Sequence, residues 1–374
     1  MEKKEVLYRK IVMEGSAYEV GKQLAEHLKT DEGLIHFMTS PFMGGDPIPK
    51  ERLNKVKLLL DQYCPGANEE IQGFADALGV EQDCVIYYYA YLFPQACNCS
   101  QLAVTPETSE ENHTFLVRNY EFSWNDTPII METAIEGQYR QIGFACQLFG
   151  RFDGMNEHGL CVATSAGVIQ APYWEEGFVF PIAVRAILNQ CKTVQEAIEL
   201  FKKLPFADYR NICLADRFGN IARIQAAASM HTVDRSDNEE NYKYLIATNH
   251  YVADQLKAKR FYTPSHSITR QETMEHCLAA YEKAGKKISE EAMKKLLEQP
   301  MPEGVCCHYY GDGMGTMWSE VFDATEKSIQ VCFGSPDDHQ WRKIDFHSEP
   351  GMKEYRETLK SVTPPEGFWE DTNK

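Results

Sequence analysis

No stretch of this chain approaches the roughly 20 consecutive apolar residues of a membrane-spanning helix, and no basic run interrupts its acidic balance. With 38 Lys and Arg against 55 Asp and Glu, the net charge of −17 argues against nucleic acid or an anionic membrane surface as the main partner. The opening Met1-Glu2-Lys3-Lys4-Glu5 leads into mixed polar sequence without an apolar signal core. That reads as a cytoplasmic protein. Its twelve cysteines are then expected as reduced thiols rather than disulfides. Internal repeats and low-complexity segments are absent too. A hydrophobic content of 43% and a charged content of 25% over 374 residues leave an ordinary globular chain with room for a sizeable core.

The texture changes once, near residue 99. Before it, apolar residues at helical spacing predict helices over Ala17 to Leu28, Lys50 to Tyr63 and Asn68 to Leu78, so residues 1–98 read as a mainly helical segment. After it come short apolar strands: Gln101–Val104, Thr114–Arg118, Gln141–Ala145 and Leu160–Ala163. Two helices follow, Pro181 to Gln190 and one capped by Thr193. Strands return at Asn211–Leu214, Ile221–Ala226 and Tyr244–Thr248. Helices near Arg270–Glu282 and Glu290–Leu297 precede a hairpin of Thr316–Asp323 and Ser328–Phe333. That order suggests a layered α+β domain with helices outside sheets. Cys146, Cys161, Cys191, Cys213 and Cys332 sit in apolar runs and read as buried structural thiols.

Four segments carry chemistry. Cys97-Asn98-Cys99-Ser100 offers a thiol that a neighbouring cation could activate. Read as a metal site it lacks the usual Cys-x2-Cys spacing, and Cys306-Cys307-His308 is the one obvious supply of further ligands. No metal and no cofactor is expected. Arg118-Asn119-Tyr120-Glu121-Phe122, 19 positions on, is strand-like and places Arg118 and Glu121 on opposite faces. Bringing both to one site is expected to need a bend after Asn119. Phe152-Asp153-Gly154-Met155-Asn156-Glu157-His158-Gly159-Leu160 reads as a structural hairpin turn. Ala247-Thr248-Asn249-His250 ends an apolar strand on a carboxamide that could serve a developing oxyanion, and on a histidine that reads as structural.

In this order the four segments resemble the acyl-coenzyme A:6-aminopenicillanic acid acyltransferase family and, more distantly, the choloylglycine hydrolases. Both are N-terminal-nucleophile hydrolases. Glu14-Gly15-Ser16-Ala17-Tyr18-Glu19-Val20-Gly21, Leu214-Ala215-Asp216-Arg217-Phe218-Gly219-Asn220 and Gly334-Ser335-Pro336 extend the likeness over most of residues 12–345. It implies a four-layer αββα sandwich. It also implies Cys99 as nucleophile with its own α-amine as base, Arg118 beside the thiolate, Asn249 in the oxyanion hole and Arg270 completing the charged network. Glu121 stands where the families usually carry aspartate, hydrogen-bonded to the α-amine. Ala163-Thr164-Ser165-Ala166 lacks the further asparagine of choloylglycine hydrolases, so the second oxyanion donor is expected to be a backbone N–H or a hydroxyl such as that of Ser165.

The resemblance implies self-cleavage at Asn98–Cys99, with Cys97 as the competing position. Residues 1–98 would stay bound to residues 99–374 as a heterodimer; homo-oligomers are left open. The expected reaction is hydrolysis of a small linear amide through an acyl-thioester. Acyl transfer to an amine and a non-catalytic binding role are the alternatives. Phe122, Trp124 and Trp174 are aromatic candidates for an acyl pocket.

Overall fold

A computed structural model describes residues 2–40, 49–88, 98–167, 177–237, 241–257 and 262–372. In chain order the first part comprises β1 (Glu2–Gly15), α1 (Ala17–Leu28), α2 (Glu32–Thr39), α3 (Lys50–Tyr63) and α4 (Ala67–Leu78). Next come β2 (Asn98–Val104), β3 (Phe115–Phe122), β4 (Ile129–Ile135), β5 (Gln141–Cys146), β6 (Gly150–Arg151), β7 (Asp153–Asn156) and β8 (Cys161–Ala166). Helices α5 (Phe180–Gln190) and α6 (Val194–Phe201) lead to β9 (Tyr209–Ala215), β10 (Ile221–Ala227), β11 (Met230–Arg235) and β12 (Tyr244–Ala247). The rest is α7 (Asp254–Lys257), α8 (Ser265–Lys283), α9 (Glu290–Glu298), β13 (His308–Tyr309), β14 (Met314–Asp323), β15 (Ser328–Phe333), β16 (Trp341–Ile344) and β17 (Gly351–Ser361).

The strands form two sheets. One has ten strands, ordered β11-β10-β9-β8-β7-β5-β4-β1-β17 with β6 attached to β5. The other has seven, ordered β12-β2-β3-β14-β15-β16 with β13 attached to β14. β2 and β3 of the smaller sheet face β8 and β9 of the larger. Helices α1, α5 and α6 pack on the outer side of the large sheet, and α8 and α9 on the outer side of the small one. This is the expected α+β class in four layers, αββα.

Alternation along β2 and β3 supplies both sides of the small sheet. Ala103, Leu116 and Tyr120 join the core between the sheets. Leu102, Val104, Phe115 and Val117 join a second cluster with Met274, Leu278, Met293 and Leu297 beneath α8 and α9. The strand between two apolar layers is thus read on both faces, which is how a short segment can reach two sets of partners.

The reading of residues 1–98 as mainly helical is corrected at its start. Residues 2–15 are strand β1, parallel to β4 and antiparallel to β17. Its charges hid it. Arg9 and Lys10 are buried, paired with Asp31 at 2.7 Å and Glu132 at 3.7 Å, so a polar-looking run fills an interior position of the large sheet. Helices α1, α3 and α4 behind it are as expected, and α2 is additional. A Ser16–Glu19 capping box starts α1, satisfying otherwise orphaned N–H groups. α1 then crosses α4 at two glycines. A Cβ on Gly21 would stand 1.8 Å from the Glu70 carbonyl oxygen, and one on Gly73 would stand 2.0 Å from that of Tyr18.

Candidate active site

Cys99 is the second residue of β2, paired with Tyr120 across the antiparallel β2–β3 ladder, while Asn98 pairs with Glu121 and Gln101 with Arg118. Directly paired residues share a face. Cys99, Gln101, Arg118 and Tyr120 therefore point between the sheets, and Asn98, Ser100 and Glu121 point toward α8. The expected bend after Asn119 is not needed, because β3 runs unbroken from Phe115 to Phe122. Cys99 is reached from both faces: its thiol on one, its backbone on the other.

On the inner face, Arg118 NH2 lies 3.0 Å from Cys99 Sγ and Arg118 NH1 lies 2.6 Å from Asp153 Oδ2, with both charged side chains fully buried. Asp153 also accepts from the Phe144 N–H at 2.9 Å and from Trp318 Nε1 at 3.2 Å. Trp318 is stacked between Tyr120 at 3.8 Å and Phe144 at 4.0 Å, a rigid floor that fixes where the carboxylate and guanidinium meet. Glu320, paired with Arg118 across β3 and β14, is buried beside them. Burial first, and then the Asp153 charge, push its carboxyl well above the carboxylate range. Burial thus favours the protonated acid at Glu320, and Asp153 is the carboxylate placed to pair with Arg118.

On the outer face, Arg270 of α8 is a hub. Its NH1 donates to Cys99 O at 2.8 Å, Ser100 Oγ at 2.8 Å and Glu121 Oε2 at 3.3 Å. Its NH2 donates to Asn249 Oδ1 at 2.6 Å and meets His266 Nδ1 at 3.1 Å. Burial, reinforced by the Arg270 charge, pushes the His266 imidazole down to about 2, so the ring stays neutral and can accept that bond. The Cys99 N–H donates to Asn249 Oδ1 at 3.1 Å.

The structure thus brings together Cys99, Arg118, Glu121, Asn249 and Arg270, the five residues singled out from the sequence, with Asn98 adjoining them at the head of β2. Two details differ from expectation. Asn249 turns its oxygen, rather than an N–H, to the cysteine, and Nδ2 donates to Ala166 O at 3.1 Å. Ser165 is wholly buried and donates to Thr248 O at 2.6 Å while accepting from Gln101 Nε2 at 2.9 Å. Its hydroxyl proton is spent on tying β8 to the end of β12. His250 Nδ1 faces Ser267 Oγ at 2.9 Å and Thr248 Oγ1 at 3.1 Å, anchoring that strand end onto α8. Trp124 is stacked on Tyr310 at 5.5 Å, Phe122 lies partly buried at 6.2 Å from Tyr120, and Trp174 lies outside the described residues. A cavity of about 690 Å³ lined by Tyr262, Phe368 and Trp369 includes none of the five, so its size does not tie it to their chemistry.

Asp153, Glu320 and His266 were missed as site residues. Asp153 sits in the segment read as a hairpin turn, of which residues 153–156 are in fact strand β7. A signal for Glu320 did exist. It is an acid in the middle of Met314–Asp323, a strand buried along its whole length, and ionisable groups are rarely buried unless paired.

Residues 108–338 match the model of the acyl-coenzyme A:6-aminopenicillanic acid acyl-transferase family. That is more than half of the chain, and the chain belongs to this family of acyl-transfer enzymes. No curated protein matches it in sequence. Among solved structures it is similar to penicillin V acylase from Agrobacterium tumefaciens, at 17% identity and a TM-score of 0.48 over 68% of this chain and 90% of that one. It is also similar to a variant of the conjugated bile acid hydrolase from Clostridium perfringens, at 14% identity and a TM-score of 0.48 over 72% and 99%. A third likeness is to a Caenorhabditis elegans ortholog of N-acylethanolamine-hydrolyzing acid amidase, at 14% identity and a TM-score of 0.42 over 61% and 93%. No helix among the described residues is long and apolar enough to cross a membrane.

Proposed function

We propose that this chain is a self-processing cysteine amidohydrolase that cuts its own Asn98–Cys99 bond and then hydrolyses linear amides through a thioester on Cys99. One observation carries the reading: a buried thiol 3.0 Å from a buried guanidinium, with its backbone N–H and C=O held by Asn249 and Arg270. Positive charge at that distance stabilises a thiolate, the nucleophilic form.

In maturation the thiolate adds to the Asn98 carbonyl and expels the Cys99 nitrogen, leaving a thioester. Water hydrolyses it, giving an Asn98 carboxylate and a free Cys99 α-amine. Cys99 is buried in the continuous chain. In turnover the sulfur attacks the substrate carbonyl. The Cys99 α-ammonium passes its proton to the leaving amine, then takes one back from the water that resolves the acyl-thioester. Glu121, held against Arg270, lies on the backbone side of Cys99, where a carboxylate favours the protonated amine.

The two pieces would not part. β1 lies between β4 and β17 in the large sheet, and Tyr8 donates to Met317 O at 2.7 Å, so the first strand is built into the sheet that later residues complete. A small-molecule amide is the expected partner. The family's own description favours acyl transfer as a second reading, in which an amine instead of water takes the acyl group from Cys99. Cys99→Ala should abolish both self-cleavage and hydrolysis across N-acyl amino acids, penicillins and bile salt conjugates. Hydrolysis that persists in this variant would sink the proposal, and aminolysis outrunning hydrolysis in the parent would select the second reading.

A further inference from the structure

We propose that Cys306, His308 and Asp337 form a binding site for a divalent transition-metal ion of zinc's character, separate from the Cys99 site. Cys306 precedes β13 and His308 opens it, and the i, i+2 spacing along extended chain puts both side chains on one face. Asp337 reaches them from the turn that follows β15. Both supports are fixed on β14. β13 pairs with it through His308–Gly315 and Tyr309–Met314, and the Gly334 N–H at the head of the turn donates to Met317 O at 2.9 Å.

The three donor atoms converge. Cys306 Sγ lies 3.8 Å from His308 Nε2 and 3.4 Å from Asp337 Oδ1, and His308 Nε2 lies 3.0 Å from Asp337 Oδ2. Zinc bond lengths of about 2.3 Å to sulfur and about 2.0–2.1 Å to nitrogen or oxygen give tetrahedral edges of roughly 3.5 Å for S···N and S···O, and roughly 3.3 Å for N···O. The observed separations are close to those edges, with Asp337 turning Oδ1 to the sulfur and Oδ2 to the ring. A catalytic triad would use both ring nitrogens, one toward sulfur and one toward carboxylate. Here the same Nε2 faces both, so the imidazole cannot relay a proton between them, whereas a cation could occupy the point they share.

Thiolate, imidazole and carboxylate together suit zinc and cobalt better than calcium or magnesium. The His308 and Asp337 side chains keep 15% and 25% of their exposure, which leaves a side open for water as fourth ligand. Binding replaces the Cys306 thiol proton with the metal, and the proton leaves to solvent. The bound ion clips the 335–338 turn to β13.

The test uses the full chain carrying Cys99→Ala, so that the nucleophilic thiol takes no metal. Titrated with Co²⁺, this protein should show a thiolate-to-cobalt charge-transfer band, and with Zn²⁺ it should bind one ion per chain by calorimetry. Adding Cys306→Ser should erase the band. Adding His308→Ala or Asp337→Asn, both at partly exposed positions, should weaken zinc binding by at least the roughly 10–100-fold that loss of an outer-shell partner costs a metal site. A Cys99→Ala protein without band or zinc uptake overturns the proposal. So do His308→Ala and Asp337→Asn variants that bind zinc as tightly as their parent, whether or not Cys306→Ser folds.

Discussion

Two acids and one arginine meet beneath the Cys99 thiol, and the division of charge among them can be tested by a double-mutant cycle. Asp153 pairs with Arg118 at 2.6 Å, and burial beside them favours the protonated form of Glu320. Glu320→Gln then swaps one neutral group for another of the same shape and should cost less than about 1 kcal/mol at pH 7. Asp153→Asn removes a 2.6 Å charge-assisted bond, worth about 1.5–3 kcal/mol, but it also removes a charge that, after burial, raises the Glu320 carboxyl. Glu320 can ionise in its place. With both substitutions the buried Arg118 loses both neighbouring acids, at about 3–5 kcal/mol. Because Glu320 can stand in for Asp153 in the single variant, the double variant should lose more than the sum of the singles.

The cycle belongs in a Cys99→Ala background, where no thiolate can serve as counter-ion, with urea unfolding followed by tryptophan fluorescence. The pH dependence has a definite sign. The folded-state value of Glu320 is raised above 4.5, so below that pH folded and unfolded chains are both protonated and no penalty arises. As pH rises through it, the unfolded chain ionises while the folded one does not, and stability falls. Glu320→Gln should thus gain on its parent from about pH 4.5 upward. A Glu320→Gln cost of 3 kcal/mol or more at pH 7, the scale of breaking a buried ion pair, or simple additivity in the cycle, would refute this division of charge.

Other positions give simpler expectations. Arg118→Lys offers one point charge where the guanidinium contacts Cys99 and Asp153 at once. Alkylation of Cys99 by a small electrophile should slow by roughly 10–100-fold at neutral pH, the worth of one charge-assisted bond, and an unchanged rate would exclude Arg118 from activating the thiol. Arg270→Met leaves Glu121 buried without its cation and should cost about 3–5 kcal/mol in urea unfolding; a cost below about 1 kcal/mol would show the pair to be incidental. Gly73→Ala drives a methyl into the Tyr18 carbonyl oxygen and should lower stability by about 1–3 kcal/mol, read as a fall in the urea midpoint, whereas an unchanged midpoint would mean that α1 and α4 do not cross so closely.

Much of this arrangement was legible in the sequence where local pattern and local chemistry coincide. β2 and β3 are adjacent in chain and in space, so Cys99 and Arg118 could be related by counting, and the β14–β15 hairpin could be read the same way. β1 and β17 could not. β1 is paired with strands more than 100 residues away, its buried Arg9 and Lys10 depend on acids from elsewhere, and β17 is a charged, largely exposed edge strand of the kind that resists pairing with other chains. Face alternation correctly set Arg118 and Glu121 apart. What alternation could not show is that Cys99, lying between them, offers its thiol to one face and its backbone to the other. Asp153 and Glu320 escaped notice because each acquires meaning only from Arg118, and the β3–β14 pairing that brings Glu320 there spans about 200 residues.

Intact mass spectrometry of the active protein tests the central claim most directly. The account predicts two species, residues 1–98 and residues 99–374, that travel together on a native column and separate in denaturant, with an electrophilic amide analogue adding its mass to the larger one alone. Fully active protein of undivided mass would contradict it.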